Sequence, residues 1–501
     1  MAGLSAAVTL SARGLDVIVL ERAATPGGKM REVDIDGHKI DVGPTVFTMR
    51  WVFDELFATA GTTLDAHLKI RAVDTLARHA WSPTEHLDLF ADVNRSADAI
   101  AAFSSRAEAN RFLDFSARAA RVFNTLDHSF IRASQPSPID LVRRIGFGRI
   151  DDLWNISPFT TLWRALGQHF QDPRLRQLFG RYATYCGSSP YLASATLMLI
   201  AHVEQQGVWL VEGGMHAVAK ALARVATTQG ATFRYNAHVG EIMTSGSKVT
   251  GVKLADGEQI SADAIIVNGD VSALGTGLFG GAVKSAAPAV AANARSLSAV
   301  TYALVAETSG FPLLRHSVFF SDNYAAEFDD IFQHRRLPQS PTVYICAQDR
   351  GDAADAAPVG PERLFMIVNA PATGDTHTFD NAEMEQCERR TFQHLQRLGL
   401  QLTRTPERTV RTSPADFDQH FPATGGALYG RASHGWTASF SRPGARSKIP
   451  GLYLAGGSVH PGPGVPMAAQ SGRIAAQSVL ADLGSMSRSP RAATPGGIST
   501  H

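Results

Sequence analysis

The sequence predicts an α/β fold in which the two ends of the chain form one domain and the middle forms a second region. Residues 3–14 are rich in small side chains, as in a helix that packs closely on a sheet, and residues 16–20 form an apolar run typical of a buried parallel strand. Residues 451–477 combine a short apolar strand, a turn rich in glycine and proline, and the start of a helix. Together these segments indicate a parallel-sheet domain of the kind that binds nucleotides.

A glycine turn follows the predicted N-terminal strand. Glu21 ends that strand, and an acid at the end of the second strand of a nucleotide-binding unit binds ribose hydroxyls. Pro26-Gly27-Gly28-Lys29 then forms the turn. Taken alone, this segment fits an ordinary βα unit with an exposed glutamate equally well, but the matching C-terminal segment favours the nucleotide site.

The C-terminal turn has the chemistry of a ligand cradle. Gly456 and Gly457 leave the backbone almost unshielded, and Pro466 suits the first turn of a helix, where its missing N–H costs nothing. A helix from about Met467 points its free N–H groups at whatever lies on the turn. The turn is therefore suited to negative charge or to an electron-rich ring edge.

Composition limits the possible functions. The chain has 501 residues, of which 44% are apolar and 19% charged, and this fits a globular enzyme of two or three domains. The net charge of +1, without a basic run, argues against nucleic acid as a partner. The three cysteines are far apart and predict no disulfide framework, and we predict no metal site. We also predict no secretory signal and no membrane-spanning helix.

The patterns along the chain predict that it leaves the nucleotide domain twice. Helical spacing dominates residues 98–205, whereas residues 208–270 return to strands and one helix. The predicted elements of this second part are strands at 208–211, 232–235, 239–243, 249–254 and 264–267 and a helix at 215–228. The predicted division is a discontinuous nucleotide domain of residues 1–75, 206–270 and 441–483, a substrate-binding region of residues 76–205 and 271–440, and a disordered tail of residues 484–501.

Several short motifs, in a characteristic order and spacing, resemble a known family. They are Glu21 with Pro26-Gly27-Gly28-Lys29, Asp41-Val-Gly43-Pro44, Gly207-Val-Trp209 with Glu212-Gly213-Gly214-Met215, Asn268-Gly269-Asp270, and the closing segment Gly456–Gly472. From Gly3 to about Leu483 the chain resembles flavin-dependent carotenoid desaturases of the bacterial phytoene desaturase family, which belong to the amine oxidase-like flavoproteins. The resemblance implies a Rossmann-like FAD-binding domain interleaved with a mixed α+β substrate domain and a helical region that contacts a membrane.

Three segments, at 211–216, 421–430 and 460–467, carry a finer resemblance to the 1-hydroxycarotenoid 3,4-desaturases, also called methoxyneurosporene dehydrogenases. This implies an FAD-dependent oxidoreductase that introduces a C3–C4 double bond into acyclic 1-hydroxy or 1-methoxy carotenoids such as 1-hydroxyneurosporene, by hydride transfer to flavin. Such enzymes belong to spheroidene- or spirilloxanthin-type carotenoid biosynthesis in photosynthetic bacteria. The sequence assigns no electron acceptor.

The resemblance also assigns residues to FAD. Gly3 lets the first helix approach the sheet, and Glu21 accepts hydrogen bonds from the adenosine ribose. Gly27, Gly28 and Lys29 lie along the ribityl and diphosphate. The backbone of Val239 meets adenine. The residues implied beside the isoalloxazine are Gly456, Gly457, Val465, Pro466 and Met467. Many flavoproteins hold the ribityl chain with an acid after the strand at 452–455, but this chain has Gly457 and Ser458 there.

Three histidines are candidates for the catalytic base. His460 lies in the C-terminal turn and is the first candidate, although a loop histidine bonded to backbone explains it as well. His216 and His434 are weaker candidates. Arg164 and Arg181, in the helical region, are expected to be solvated or paired. A polyene cation is delocalised, so the reaction places little demand on a strong base.

The implied substrate also predicts where the protein lies in the cell. A carotenoid dissolves in lipid, so the tunnel mouth is expected to touch the bilayer from the cytoplasmic side, as a peripheral contact without a spanning helix. Residues 141–163 combine arginine with Phe, Ile and Trp and are the candidate patch, although an ordinary packed helix pair fits them equally well.

Three other functions compete with this one. A desaturase of phytoene, neurosporene or another carotene without the hydroxyl differs only in the three segments of the finer resemblance. An amine oxidase needs an aromatic cage or acids to receive an amine, and no such set is evident. A lipid-binding chaperone of this fold lacks flavin, which the intact segment 456–472 argues against.

The dinucleotide fingerprint is incomplete at its beginning. Such a fingerprint is a strand, Gly-x-Gly-x-x-Gly and a helix, and Met1-Ala2-Gly3 supplies only its last three positions. The first strand, normally central in the sheet, is therefore missing from the predicted domain. Our expectation is that the natural chain extends upstream by on the order of ten or more residues.

Overall fold

A computed structural model gives the structure of the protein and describes residues 1–134, 159–352, 358–438 and 440–486. Several helices begin at capping side chains. The Asp92 carboxylate accepts from the backbone N–H groups of Asn94 and Arg95, and Ser105 and Asp172 cap later helices in the same way. The helices are α1 (Ala2–Ser11), α2 (Arg50–Thr59), α3 (Val93–Phe103), α4 (Arg106–Leu126), α5 (Leu162–His169), α6 (Pro173–Gly180), α7 (Leu199–Gln205), α8 (His216–Thr228), α9 (Val271–Thr276), α10 (Tyr324–Phe332), α11 (Asn381–Arg397), α12 (Pro414–His420) and α13 (Val465–Met486).

The strands fall into one large sheet and several small ones. They are β1 (Ile18–Leu20), β2 (Glu32–Ile35), β3 (His38–Asp41), β4 (Phe47–Thr48), β5 (Ile70–Ala72), β6 (Thr75–Ala80), β7 (His86–Phe90), β8 (Val208–Val211), β9 (Thr232–Arg234), β10 (Val239–Ser245), β11 (Lys248–Leu254), β12 (Gln259–Ser261), β13 (Ile265–Val267), β14 (Ser298–Gly310), β15 (His316–Phe319), β16 (Val343–Ala347), β17 (Glu362–Ala370), β18 (Leu400–Thr403), β19 (Thr409–Thr412) and β20 (Leu452–Leu454).

Two short parallel pairs lie where the sequence predicts the nucleotide domain. β1 pairs with β9 in the register Ile18↔Thr232, and β13 pairs with β20 in the register Ile265↔Leu452. Strands from all three predicted segments of that domain therefore take part. The division into domains itself stays a prediction.

The helices at the two chain ends pack closely on each other. α1 lies against α13 and α8, and the Ser5 hydroxyl donates to the Ala469 carbonyl at 2.7 Å. A methyl group on Gly472 would collide with the backbone of Ala2, so the glycine is required for this close approach. The structure thus places the small residues of α1 mainly against other helices. α13 begins at Val465, two residues before the predicted start, and continues to Met486; the rest of the predicted tail, residues 487–501, lies outside the described residues.

The large sheet forms the floor of the second region. Its strand order is β18-β14-β17-β16-β15-β6-β7, and β19 also pairs with β14. Side chains alternate between its faces, as period-two patterning requires. Tyr302 and Met366 face α11, whereas Ala303 and Phe365 join a core shared with the helices α3 to α7. The second of these faces, with residues 181–204 opposite it, forms a wall of the cavity described below.

Within the predicted helical region 98–205, residues 162–186 do not form one continuous helix. They form two α-helices, α5 and α6, followed by a 3₁₀ segment at Arg181–Cys186. Pro173 lacks an N–H and cannot continue a helix from before it, and Asp172 caps a new one instead. The 3₁₀ segment that follows begins at Arg181.

Candidate active site

One cavity of about 1610 Å³ runs through the protein. It is larger than the roughly 300–1,000 Å³ of ordinary small-molecule pockets, so it has room for a dinucleotide and a second ligand. The residues that the sequence assigns to the cofactor all line this cavity. They are Gly3, Glu21, Gly27, Gly28, Lys29, Val239, Gly456, Gly457, Val465, Pro466 and Met467.

The first glycine turn, residues 26–29, has a backbone that only glycine adopts readily. Gly27 and Gly28 have φ of 120° and 61°, and a methyl group on Gly27 would collide with the Met30 carbonyl. A methyl group on Gly28 would instead meet open space within the cavity wall. The Lys29 ammonium donates to the Leu428 carbonyl at 2.6 Å, and burial lowers its pKa while Asp270 partly opposes that effect. Glu21 accepts from the Ala23 N–H at 2.8 Å, which fixes the carboxylate at the end of β1.

The second glycine turn, residues 456–464, is built the same way. Gly456 and Gly464 have φ of 137° and 114°, and α13 begins directly after them with Pro466 in its first turn. Arg442 braces the turn, since its guanidinium donates to the Gly457 carbonyl at 2.9 Å and to two carbonyls of the neighbouring segment 429–431. The bare backbone and the helix N-terminus are thus held open toward the cavity.

Asn268 joins the two chain ends, a role that the sequence motif alone did not reveal. Its side-chain oxygen accepts from the Gly3 N–H at 2.7 Å, and its side-chain nitrogen donates to the Ala455 carbonyl at 3.1 Å. The start of α1 and the end of β20 are therefore fixed relative to each other at the cavity wall.

Asp41 explains why two of the motifs occur together. Its buried carboxylate accepts from the Met215 and His216 backbone N–H groups at 2.8 and 2.9 Å and so caps the start of α8. Gly214, with φ of 84°, leaves room for that carboxylate, because a methyl group there would overlap it. Burial raises the pKa of Asp41, and the two backbone donors oppose that shift. These motif residues support the fold beside the first glycine turn.

The three candidate histidines do not line the cavity. His460 is buried, with Nε2 2.9 Å from the carbonyl oxygens of both Phe130 and Ala133. His216 lies between the Pro26 carbonyl and Glu32, and burial lowers the pKa of His434 to about 4. The role of His460 as a base stays a prediction, and its geometry favours the alternative of a histidine bonded to backbone.

Arg181 differs from the sequence prediction of a solvated or paired side chain. It is half-buried and lines the cavity. Its Nη1 donates to the Tyr185 hydroxyl at 3.0 Å, and no carboxylate of the described residues forms an ion pair with it. Neighbouring Glu204 is buried and accepts from the Tyr182 hydroxyl at 2.7 Å. No signal in the sequence indicates this cluster, because an arginine that lines a cavity cannot be told from a surface arginine by helical spacing.

Comparisons with known proteins identify the family. The sequence matches the flavin containing amine oxidoreductases over residues 1–480. It is 53% identical to a hydroxyneurosporene desaturase of Rubrivivax gelatinosus over 100% of this chain and 95% of that protein, and 44% identical to one of Cereibacter sphaeroides over 97% of each. A solved putrescine oxidase variant has a TM-score of 0.56 at 14% identity over 97% of each chain, which supports the fold. The chain belongs to the flavin containing amine oxidoreductase family.

Membership confirms several predictions. The fold class, the resemblance to carotenoid desaturases, the assignment as an oxidoreductase and FAD as the cofactor are confirmed. The cradle formed by the two glycine turns fits such a group, with open space over Gly28 and a helix N-terminus after Gly464. The assignment of individual residues to parts of FAD stays a prediction.

Proposed function

We propose that this protein is an FAD-dependent desaturase that introduces the C3–C4 double bond into acyclic 1-hydroxy or 1-methoxy carotenoids such as hydroxyneurosporene. The single observation that carries the proposal is the shared cavity: its one side is made of the two glycine turns, and its other side is made of the large sheet and residues 181–204. The full-length similarity to hydroxyneurosporene desaturases supports the choice of substrate.

The side chains of the cavity favour an apolar substrate. Phe365, Ile367 and Tyr344 come from adjacent strands of the large sheet, and Leu197 and Ile200 face the cavity from the helical side. Such a wall excludes water and aligns a rigid polyene along the sheet, which is positioning rather than acid–base catalysis. FAD bound by the two glycine turns would supply the chemistry, since it would accept one hydrogen as a hydride while the adjacent carbon loses the other as a proton.

We assign the cofactor residues as follows. Glu21 receives the ribose hydroxyls, since it is fixed at the end of β1 and lines the cavity. The first glycine turn follows the diphosphate and ribityl chain, and Val239 offers backbone to adenine. The second glycine turn, with Pro466 and Met467, lies beside the ring system at the N-terminus of α13.

The competing functions have less support. A carotene desaturase that ignores the hydroxyl is not favoured by relatives that carry hydroxyneurosporene in their names. An amine oxidase requires acids or an aromatic cage that can receive an amine, whereas Glu204, the acid on the wall 181–204, already accepts from the Tyr182 hydroxyl and lies beside Arg181. A chaperone without flavin has no use for the two glycine turns.

We also propose that the cavity mouth touches a membrane. Phe159 is 72% exposed and its ring lies 5.3 Å from that of Trp436, which is 43% exposed and lines the cavity. Leu192, 41% exposed, accepts from the Gly435 N–H and completes the patch. Within the described residues no helix has both the length and the apolar character to cross a bilayer. Of the predicted patch 141–163, residues 141–158 lie outside the described residues.

The membrane proposal predicts a matched pair of variants. Phe159→Ser with Trp436→Ser removes two large apolar side chains and should weaken liposome flotation about tenfold or more, since each buried side chain contributes roughly 1.5–3 kcal/mol. Val359→Ser removes a fully exposed apolar residue that does not line the cavity, and it should leave flotation unchanged. Equal flotation of both proteins with anionic and neutral liposomes would exclude this patch.

The substrate proposal has a direct test. FAD-loaded protein is incubated with liposomes that carry 1-hydroxyneurosporene or neurosporene, and the longer polyene is followed by its absorption spectrum. We expect the hydroxylated substrate to be oxidised far faster. Equal rates for the two would refute the substrate assignment, and a purified protein without flavin would favour the chaperone.

A further inference from the structure

Arg181, on the cavity wall, supports an inference that rests on the proposed function. Arg181 begins the 3₁₀ segment Arg181–Cys186, and it lines the cavity as a half-buried side chain. A half-buried guanidinium that forms no ion pair within the described residues, on a mostly apolar wall, points to a polar ligand group.

Two aromatic rings hold the guanidinium in place. Its central carbon lies 5.1 Å from the ring centroid of Tyr185 and 5.2 Å from that of Tyr344. Tyr344 is itself fixed, because its hydroxyl lies 2.7 Å from both Thr45 Oγ1 and His316 Nδ1. These ring contacts position the guanidinium without consuming its N–H donors.

The hydrogen bonds around Arg181 have a defined direction. The Tyr185 hydroxyl accepts from Arg181 and hydrogen-bonds with Glu204, which also accepts from Tyr182. Tyrosine hydroxyls thus donate toward Glu204, and the remaining N–H groups of the guanidinium are left as donors. The ligand group that this arrangement suits is an oxygen acceptor.

The cluster also adjoins both glycine turns. Thr45 follows Gly43, where an added methyl group would collide with the Lys29 carbonyl of the first turn. Toward the second turn, Tyr429 lies close enough for Arg181 to influence its pKa, and its carbonyl shares the Arg442 guanidinium with that of Gly457. A group bound to Arg181 is therefore beside the cofactor.

We propose that Arg181 binds the oxygen atom on C1 of the carotenoid and so places the C3–C4 bond beside the flavin. Only three bonds (O–C1, C1–C2 and C2–C3) separate the oxygen from the bond to be oxidised, so whatever binds the oxygen must lie next to the cofactor, as Arg181 does. An ether oxygen accepts a hydrogen bond as a hydroxyl does, so 1-methoxy substrates fit the same site. Neurosporene has no oxygen there and leaves the guanidinium unpaired.

The test measures, for the wild type and each variant, the ratio of the oxidation rate of the oxygen-bearing substrates to that of neurosporene. Wild-type protein should oxidise the 1-hydroxy and 1-methoxy substrates on the order of 10³-fold or more faster than neurosporene, because an unpaired buried donor rejects the deoxy analogue. Arg181→Met keeps the length of the side chain and removes its donors; it should bring the ratio to within about tenfold while bound FAD is retained. Tyr185→Phe loosens the guanidinium and should lower the ratio several-fold, whereas Tyr302→Phe, a buried tyrosine away from the cavity, should not.

The outcomes separate the inference from the function on which it rests. A wild-type protein that does not prefer the 1-hydroxy substrate overturns the proposed function. A wild-type preference that survives in Arg181→Met overturns this inference alone, as does an equal loss with both substrates, which would assign Arg181 to the cofactor. Flavin absorbance and thermal unfolding establish whether each variant is folded. If Arg181→Met does not fold, the substrate ratio of Tyr185→Phe decides whether Arg181 binds the oxygen.

Discussion

The two sides of the cavity present different chemical groups to their ligands. On the cofactor side the groups that face the ligand are largely backbone: Gly27 and Gly28 in one turn, Gly456 and Gly464 in the other, and the first turn of α13. On the substrate side they are side chains, among them the charged residues Arg181 and Glu204, which both line the cavity. A backbone site demands particular residue types within a short stretch, whereas a side-chain site draws on residues far apart in the chain.

The largest effect should follow from a change on the backbone side. Gly464→Val places a β-branched residue at φ of 114°, a conformation that such residues avoid, directly before α13. We expect FAD affinity to fall at least 100-fold while the protein remains soluble, measured by flavin absorbance after gel filtration. A variant with normal flavin content would show that the backbone there is not part of the cofactor site.

A second prediction addresses the substrate side through pH. Burial raises the pKa of Glu327 to about 7, although Thr342 and Asn369 donate to its carboxylate. The folded protein therefore keeps a proton that the unfolded chain releases near pH 4.3. The free energy of unfolding should be highest below about pH 4.3 and fall as pH rises to about 7, by on the order of 3–4 kcal/mol.

The measurement for Glu327 is a comparison of wild-type protein with Glu327→Gln. In urea unfolding at pH 5 and pH 8, the free energy of unfolding of the variant should depend less on pH than that of the wild type. The stability of the variant relative to the wild type should therefore be higher at pH 8 than at pH 5. Burial lowers the pKa values of His79 and His316 to about 3, so these two groups reduce the free energy of unfolding as pH falls below 6.5. This effect has the opposite direction to that of Glu327 and is the same in both proteins. An identical pH response of the two proteins would contradict the prediction.

The smallest effect is expected for Asn268, whose side chain holds the backbone of the cofactor side in place. Asn268→Ala removes the bonds to Gly3 and Ala455, one of which is partly exposed, so unfolding should become easier by only about 1 kcal/mol. FAD affinity should fall about tenfold because the start of α1 is no longer fixed, and isothermal titration of the apoprotein measures it. Asn323→Ala, which removes a helix cap far from the cavity, serves as the control and should lower stability alone.

The same contrast decides what the sequence could predict. The strand at 208–211 was predicted with its observed bounds, and the strand predicted at 452–455 ends one residue earlier, at Leu454, since glycines bracket both short apolar runs. The eleven cofactor residues meet at one cavity because their motifs encode backbone shape. Arg181 was misjudged because the groups that give it meaning, Tyr344 and Glu204, come from a distant strand and another helix, and only packing brings them together.

Arg442 determines which positions around the second glycine turn can be substituted while the turn stays open. Its guanidinium meets the carbonyl oxygens of Tyr429, Arg431 and Gly457, and every residue type carries such an oxygen. Substitutions at 429 and 431 therefore preserve the brace, whereas replacement of the arginine releases all three carbonyls at once. The opening of the turn thus depends on the identity of one residue, while positions 429 and 431 can carry other side chains without loss of these hydrogen bonds; Gly430 between them cannot, since a methyl group there would collide with Ser458.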